Sequence, residues 1–424
     1  MNKLEYPALG ETLYETVLPN GLRIVVARKP GFRKATAMFG ANYGGADRRF
    51  QLAGEWIDTP AGVAHYLEHK MFDMPDGRNV LAELSAIGAN PNAFTGAGMT
   101  AYHVTCTGEL TEALRILLTY VSTPYYTPES VQKEQGIIGQ EIRMYENYPN
   151  AVVYFQLMAA LYAAHPIREP VAGTVESIAE ITPETLYHCH KVFYNPSNMT
   201  LAVVGDVDPE QVAALAEEIL PAERGETPER DYGPAEGLTP ASPSAERSMA
   251  VSAPLFCLGA KVEAPAEGRE RLRRRILGEL ALECLCGEAS AFYSDLYTRG
   301  LLGRDFETEM DDTAGTMTLL MAGESKDPAA VAEALQERVG AVARKGLDRN
   351  AFVRCCRARY GAELAGLDSF NSYARTLILG SFGGWNALDV FPILEELTAE
   401  DAAAFLCETL SPERVALSVV RPAG

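Results

Sequence analysis

Short strand-like and longer helix-like apolar patterns alternate along this 424-residue chain. The segment 15–30, ETVLPNGLRIVVARKP, places an Asn-Gly turn between two apolar runs and predicts a β-hairpin. KATAMFGANYGG, from Lys34, continues the sheet. Later, RSMAVSAPLFCLGAKVEAP (247–265) and TMTLLMAGES (316–325) read as equivalent strands. Helical periodicity fills the intervals. The expected fold class is α+β, with two homologous α/β-roll domains, each a sheet covered by helices on one face.

An internal repeat supports the duplication. ITPETLYHCHKVFYNPSNMTLAVVGD (181–206) and LTAEDAAAFLCETLSPERVALSVVRP (397–422) align without a gap. Thr182 falls on Thr398, Pro196 on Pro412 and Leu201 on Leu417. Each copy predicts a Thr-capped helix, a proline turn and an apolar strand. Between the halves, 221–250 is rich in Pro, Gly, Ser and Glu and reads as a linker. The expected domains are therefore 1–220 and 251–424.

All six histidines lie in the first half, so a histidine site belongs there. The segment 61–74, AGVAHYLEHKMFDM, predicts a helix with Thr59 as cap and Pro60 in the first turn. At about 100° per residue, His65, Glu68 and His69 project within about 100° of arc. Two imidazoles at i and i+4 can hold one divalent ion, and Glu68 then hangs beside it, placed to take a proton from water. This is the H-x-x-E-H arrangement. The plainer alternative is a helix carrying two surface histidines and a glutamate. The apolar neighbours Val63, Leu67, Met71 and Phe72 argue for a partly buried helix, where unpaired imidazoles are costly.

A third ligand should come from another helix. TPESVQKEQGIIGQEIRMYE (127–146) starts with a Thr-Pro cap and carries Glu134 and Glu141 on one face. Gly136 and Gly139 predict a close approach to the first helix. Two solvated glutamates on an exposed face remain the alternative, and the residues alone do not choose a ligand.

Together, HYLEH (65–69), GANPNAFTGAGMTAYHV (88–104), KEQGIIGQEIRMYE (133–146) and YNPSNMTLAVVGDVDP (194–209) resemble the pitrilysin/insulinase family of inverted-motif zinc peptidases. That family includes the mitochondrial processing peptidases, and the likeness is closest to its bacterial YmfH-like subgroup. The resemblance implies a LuxS/processing-peptidase-like metallohydrolase fold. It implies one Zn²⁺ per chain held by His65, His69 and Glu141. Glu68 is then the general base and Glu134 an outer carboxylate that orients the site. It also implies that an extended peptide adds as a strand at Asn92, Ala93 and Phe94.

Members of the family also use an Arg and a Tyr from a second half, in the pattern L-R-T-x-x-Q-L-G-Y. Here LYTRGLLGR (296–304) carries Tyr297 at the Arg position and Arg304 at the Tyr position. The expectation is a homodimer, or a heterodimer with a related peptidase-like subunit that supplies the pair. A non-catalytic peptide-binding subunit is the competing reading, against which the intact H-x-x-E-H and Glu141 stand.

Composition narrows the rest. A formal net charge of −20 argues against nucleic-acid partners. No apolar run is long enough to span a bilayer, and the N-terminus lacks a secretory pattern, so a cytoplasmic location is expected. The eight cysteines have no disulfide or zinc spacing and read as reduced thiols. His188 and His190 lie on opposite sides of a helix and cannot share an ion. The basic run RERLRRR (269–275) is expected to be solvated or to meet a partner's carboxylates.

Overall fold

The Asn20-Gly21 turn forms the hairpin its chemistry requires. Gly21 adopts φ 91°, and the Asn20 side chain accepts from the Leu22 N–H at 3.1 Å. The flanking strands pair from Val17–Arg23 to Leu13–Ala27.

The computed structural model describes residues 1–265 and 267–423. In chain order the first part runs β1 (Asn2–Tyr6), β2 (Glu11–Val17), β3 (Arg23–Arg28), β4 (Ala35–Ala41), β5 (Arg49–Leu52), β6 (Glu55–Asp58), α1 (Val63–Lys70), α2 (Val80–Ala86), β7 (Asn90–Thr95) and β8 (Thr100–Cys106). It continues with α3 (Leu110–Val121), α4 (Pro128–Glu146), α5 (Pro149–Leu161), α6 (Val175–Ile178), α7 (Pro183–Phe193), β9 (Met199–Gly205) and α8 (Pro209–Ile219). The second part opens with β10 (Ser244–Met249), β11 (Leu255–Lys261), α9 (Arg269–Cys286), α10 (Ala291–Thr298), β12 (Glu307–Thr313) and β13 (Thr316–Glu324). It ends with α11 (Pro328–Lys345), α12 (Arg349–Gly366), α13 (Phe370–Gly383), α14 (Val390–Glu396), α15 (Ala399–Thr409) and β14 (Val415–Pro422).

Two compact units result. One contains Met1–Ile142, Pro170–Tyr232 and Leu364–Ala387; the other contains Arg143–Glu169, Gly233–Glu363 and Leu388–Gly424. The first is built on a sheet of order β1-β2-β3-β9-β4-β8-β7, the second on β10-β14-β11-β13-β12. In each, one parallel pair, β3–β9 or β10–β14, sits among antiparallel neighbours. The repeat is realised: Thr182 caps α7 and Thr398 caps α15, and each leads to a buried strand, β9 or β14.

Three expectations need correction. The sheets carry helices on both faces, not one. In the first unit, Phe39, Leu201, Val203 and Tyr102 pack under α1, α3 and α7. The alternate residues on the same strands meet α13. A Cβ at Gly40 would lie 2.9 Å from Ile378, Thr200 shares a hydroxyl contact of 2.9 Å with Ser381, and Thr105 donates to Asn371 at 3.0 Å. In the second unit, α5 plays the same part. Gly259 leaves room for Leu157, and Tyr162 bonds Thr318 at 2.7 Å. Thus each unit takes one helix from the other part of the sequence. The physical reason is that β4 and β9 are buried along their whole length, and a strand buried on both faces needs cover on both.

The second correction concerns 221–250, which is not a free linker. Gln51 N–H donates to Glu229 at 3.0 Å, Asp231 N–H donates to Arg49 at 2.9 Å, and Arg230 pairs with the buried Asp47 at 2.9 Å. The same stretch carries β10. Unit boundaries therefore fall elsewhere than 220 and 250. The run 269–275 also differs from expectation. On α9 it meets this chain's own acids, with Arg269–Glu396 at 2.7 Å, Arg271–Asp312 at 2.6 Å and Arg274–Glu408 at 3.2 Å.

Candidate metal centre

Helix α1 begins later than the Thr59-Pro60 signal predicts. Its cap is Gly62, at φ 96°, and a Cβ there would lie 2.6 Å from the Ala172 carbonyl oxygen. Only glycine accepts both conditions. Thr59 instead donates its hydroxyl to the Arg48 carbonyl at 2.9 Å. The short helix buries Val63, Ala64, Tyr66 and Leu67, which leaves His65, Glu68 and His69 on the opposite face.

Helix α4 is fastened alongside. The Tyr66 hydroxyl donates to the Val131 carbonyl, and Lys70 Nζ reaches the Ser130 carbonyl at 3.4 Å. The expected close approach through Gly136 and Gly139 does not occur. A Cβ at Gly136 would meet nothing within 4 Å, and one at Gly139 would only touch Ile178 at 4.0 Å.

This placement separates the two glutamates. His65 Nε2 lies 3.7 Å from one Glu141 oxygen, and His69 Nε2 lies 3.6 Å from the other. Among the described residues, His65, His69 and Glu141 form the one group whose ligand atoms all fall within 4.8 Å of one another. A tetrahedral ion with Zn–N bonds of the usual length separates its ligand atoms by about 3.4 Å. Two Nε2 atoms and a carboxylate converging at this spacing fit a divalent ion with one position left open. Glu134 does not share that group. It sits 3.0 Å from His69 Nδ1, on the far side of the ring.

Electrostatics follows from the same geometry. Burial, reinforced by the charge of His69, pushes the His65 pKa down to about 4. A neutral imidazole is the form that binds metal. Burial opposes charge on His69 too, but the carboxylates of Glu134, Glu68 and Glu141 outweigh it and raise its pKa. The bond from His69 holds the Glu134 carboxyl below its ordinary value. Among the described residues, the buried Nδ1 of His65 has no hydrogen-bond partner, so its tautomer is not imposed by one of them as that of His69 is.

Glu68 faces a wall of tyrosines whose own ionisation its charge opposes, Tyr102, Tyr120 and Tyr194. Burial raises the Glu68 pKa, and Glu141 adds to the rise. Its Oε2 accepts from the Thr95 hydroxyl at 2.5 Å.

Thr95 ends β7, the edge strand that contains Asn92, Ala93 and Phe94. Those three pair inward with His103, Tyr102 and Ala101 of β8; among the described residues no strand lies beyond them. The Asn92 side chain accepts from the Ala93 N–H at 2.9 Å. Phe94, on the face opposite Ala93 and Thr95, lies under the Arg375 guanidinium at 5.3 Å. Neither Thr95 nor Arg375 was legible as a site neighbour in the sequence. The period-two alternation from Ala93 to Thr95 was the only signal for the first, and the second comes from the exchanged helix α13.

Elsewhere, Tyr297 is exposed on α10 and stacks on Tyr293 at 5.7 Å, and Arg304 is exposed in the loop after it. His188 is exposed, whereas His190 is buried and donates Nε2–H to the Val121 carbonyl at 3.2 Å. His165 bonds the Ala314 carbonyl at 3.1 Å through Nε2.

Comparison with known proteins bears on this geometry. Residues 53–175 match the family described as insulinase (peptidase family M16), and residues 180–358 match the peptidase M16 inactive domain. The chain is 34% identical over 431 aligned residues to the Bacillus subtilis (strain 168) protein named uncharacterized zinc protease YmfH, covering 99% of both chains. It is 31% identical to the uncharacterized zinc protease ML0855 of Mycobacterium leprae over 48% of this chain and 45% of the relative. A crystal structure of an M16-like protein from Alicyclobacillus acidocaldarius superposes with a TM-score of 0.92 at 33% identity, covering 99% of this chain and 100% of the other.

Proposed function

Because this chain belongs to the insulinase family of peptidases, peptidase family M16, we propose that it is a zinc-dependent endopeptidase acting on extended or unfolded peptides. The observation that carries this reading is the convergence of His65 Nε2, His69 Nε2 and the Glu141 carboxylate on one small volume, with Glu68 beside it. These three residues would hold one Zn²⁺. When bound, zinc supplies Lewis acidity towards the scissile carbonyl and makes water a stronger acid.

The chain's own residues account for the rest. Glu134 keeps Nδ1 of His69 protonated and Nε2 facing inward. Glu68 takes a proton from the attacking water and returns it to the leaving amine. Its raised pKa, caused first by burial, suits a group that must both accept and release that proton. Asn92, Ala93 and Phe94 offer the free edge of β7 to the peptide backbone. Backbone-led binding selects for extended conformation more than for sequence.

The departure at Tyr297 and Arg304 supports a two-chain enzyme. In that arrangement a related peptidase-like subunit supplies the Arg and Tyr, since a second copy of this chain carries the same departure. The same departure favours one alternative, a non-catalytic peptide-binding subunit. A cytoplasmic location belongs to the proposal and agrees with eight free thiols.

Peptide cleavage by the purified chain, alone and with the related subunit, with zinc counted in the same sample, tests the reading. One zinc per chain, with chelator-sensitive cleavage once the related peptidase-like subunit is added, is the expected result. One zinc without cleavage, alone or with its cognate relative added, would leave the binding-subunit alternative. A chain that binds no zinc would overturn the assignment of His65, His69 and Glu141.

A further inference from the structure

We propose, resting on the peptidase reading above, that Thr95 is a positioning residue for Glu68, tying the base to the strand on which the peptide lies. Among the described residues, the Thr95 hydroxyl is the one hydrogen-bond partner of the Glu68 carboxylate, at 2.5 Å. An O–H···O⁻ bond of this length falls in the charge-assisted range. It engages Oε2 and leaves Oε1 without a protein partner, free to accept a proton.

A glutamate on a short helix has three side-chain torsions to fix. Tyr102, Tyr120 and Tyr194 are near enough to feel its charge, but among the described residues none of them hydrogen-bonds it. Thr95 is itself well held. It pairs with Thr100 in the β7–β8 register, and the Thr100 hydroxyl lies 3.4 Å from its own. Thr100 is fully buried and anchored to the Tyr43 carbonyl at 3.0 Å. Being β-branched, Thr95 also has a restricted χ1.

The position of the donor matters as much as the bond. Thr95 follows Asn92, Ala93 and Phe94 directly, on the same edge strand. A peptide added to that edge and the carboxylate held at its end therefore share one backbone reference. Proton transfer requires the base within hydrogen-bond reach of the water, and small misplacements are costly.

Thr95→Val keeps the shape and removes the donor, whereas Thr95→Ser keeps the donor. Three readings are taken on each variant: zinc per chain, KM and kcat on one unfolded peptide. The expected result for Thr95→Val is unchanged zinc, KM within about threefold, and kcat reduced by about 10- to 100-fold. Thr95→Ser should stay within about threefold of the parent in kcat. In a Glu68→Gln background, Thr95→Val should leave peptide affinity unchanged, since the bond it removes serves the base alone.

Equal kcat for Thr95→Val and the parent would overturn the proposal while leaving the peptidase reading intact. So would a loss confined to KM, a loss of zinc in Thr95→Val, or a Thr95→Ser as impaired as Thr95→Val. A zinc-loaded parent chain that cleaves no peptide, alone or with its partner, would instead overturn the peptidase reading, and the role of Thr95 with it.

Discussion

His69 donates its Nδ1–H to Glu134 across 3.0 Å, and the bond decides which nitrogen of His69 faces Glu141. With Nδ1 committed to a carboxylate, the lone pair lies on Nε2. Glu134→Ala should therefore weaken zinc binding by about 10- to 100-fold without unfolding the chain. Glu141→Ala should lose stoichiometric zinc altogether. Competition titration against a chelator separates the two outcomes. Equal affinities for Glu134→Ala and the parent would show that the bond does not orient the ligand.

Glu68→Gln should keep zinc and lose turnover, because the amide cannot take the proton. A positioned general base contributes about 10²- to 10⁴-fold, so kcat should fall by at least that range. Metal analysis and kinetics on the same preparation check it. A loss of zinc in this variant would make Glu68 a ligand rather than a base.

His190 should make the protein acid-sensitive independently of the metal. Burial lowers its pKa in the folded chain to about 4 from 6.5, against the opposing bond to Val121. Between those values the unfolded chain binds a proton that the folded chain does not. The contribution to stability is therefore complete above about pH 6.5, falls as pH drops towards 4, and is level below that. Its size is on the order of 3 kcal/mol. His190→Phe keeps the stacking on Tyr194 and should reduce the pH slope over this window, leaving the share that His65 contributes. Urea unfolding of the metal-free chain at a series of pH values measures it.

Gly62→Ala tests the start of α1. The residue would be held at φ 96° with its Cβ 2.6 Å from a carbonyl oxygen. Left-handed strain and the clash together should cost at least about 2 kcal/mol. The loss should appear in chemical denaturation and be accompanied by weaker zinc binding, since α1 carries both histidines.

Lys29 and Glu11 form a buried ion pair, 8% and 6% exposed, and Tyr373 of α13 lies against it with its hydroxyl 3.4 Å from Glu11. Lys29→Met alone strands a buried carboxylate and should cost about 3–5 kcal/mol. Adding Glu11→Leu should recover most of that loss. If the double variant is no more stable than the single, packing against α13 and not charge dominates the site.

The sequence by itself determined what depends on local geometry. A helical repeat places His65, Glu68 and His69 on one face wherever the helix ends up. The Asn20-Gly21 hairpin and the caps at Thr182 and Thr398 are likewise set by residues within a few positions of one another. Periodicity alone did not divide Glu134 from Glu141, which share a helix face; the resemblance implied the division, and the tertiary structure shows what faces each. Tertiary structure also moved the start of α1 to Gly62, where contact with Ala172 outweighs the Thr59-Pro60 signal. Thr95 became a partner of Glu68 through the packing of β7 against α1, across 27 positions. Above all, α5 and α13 cover sheets that lie in the other part of the sequence. An apolar helix face states that it must be buried, but not under which sheet. That choice belongs to β4, β9, β11 and β14, whose second faces had to be covered and whose complementary side chains lie far along the chain.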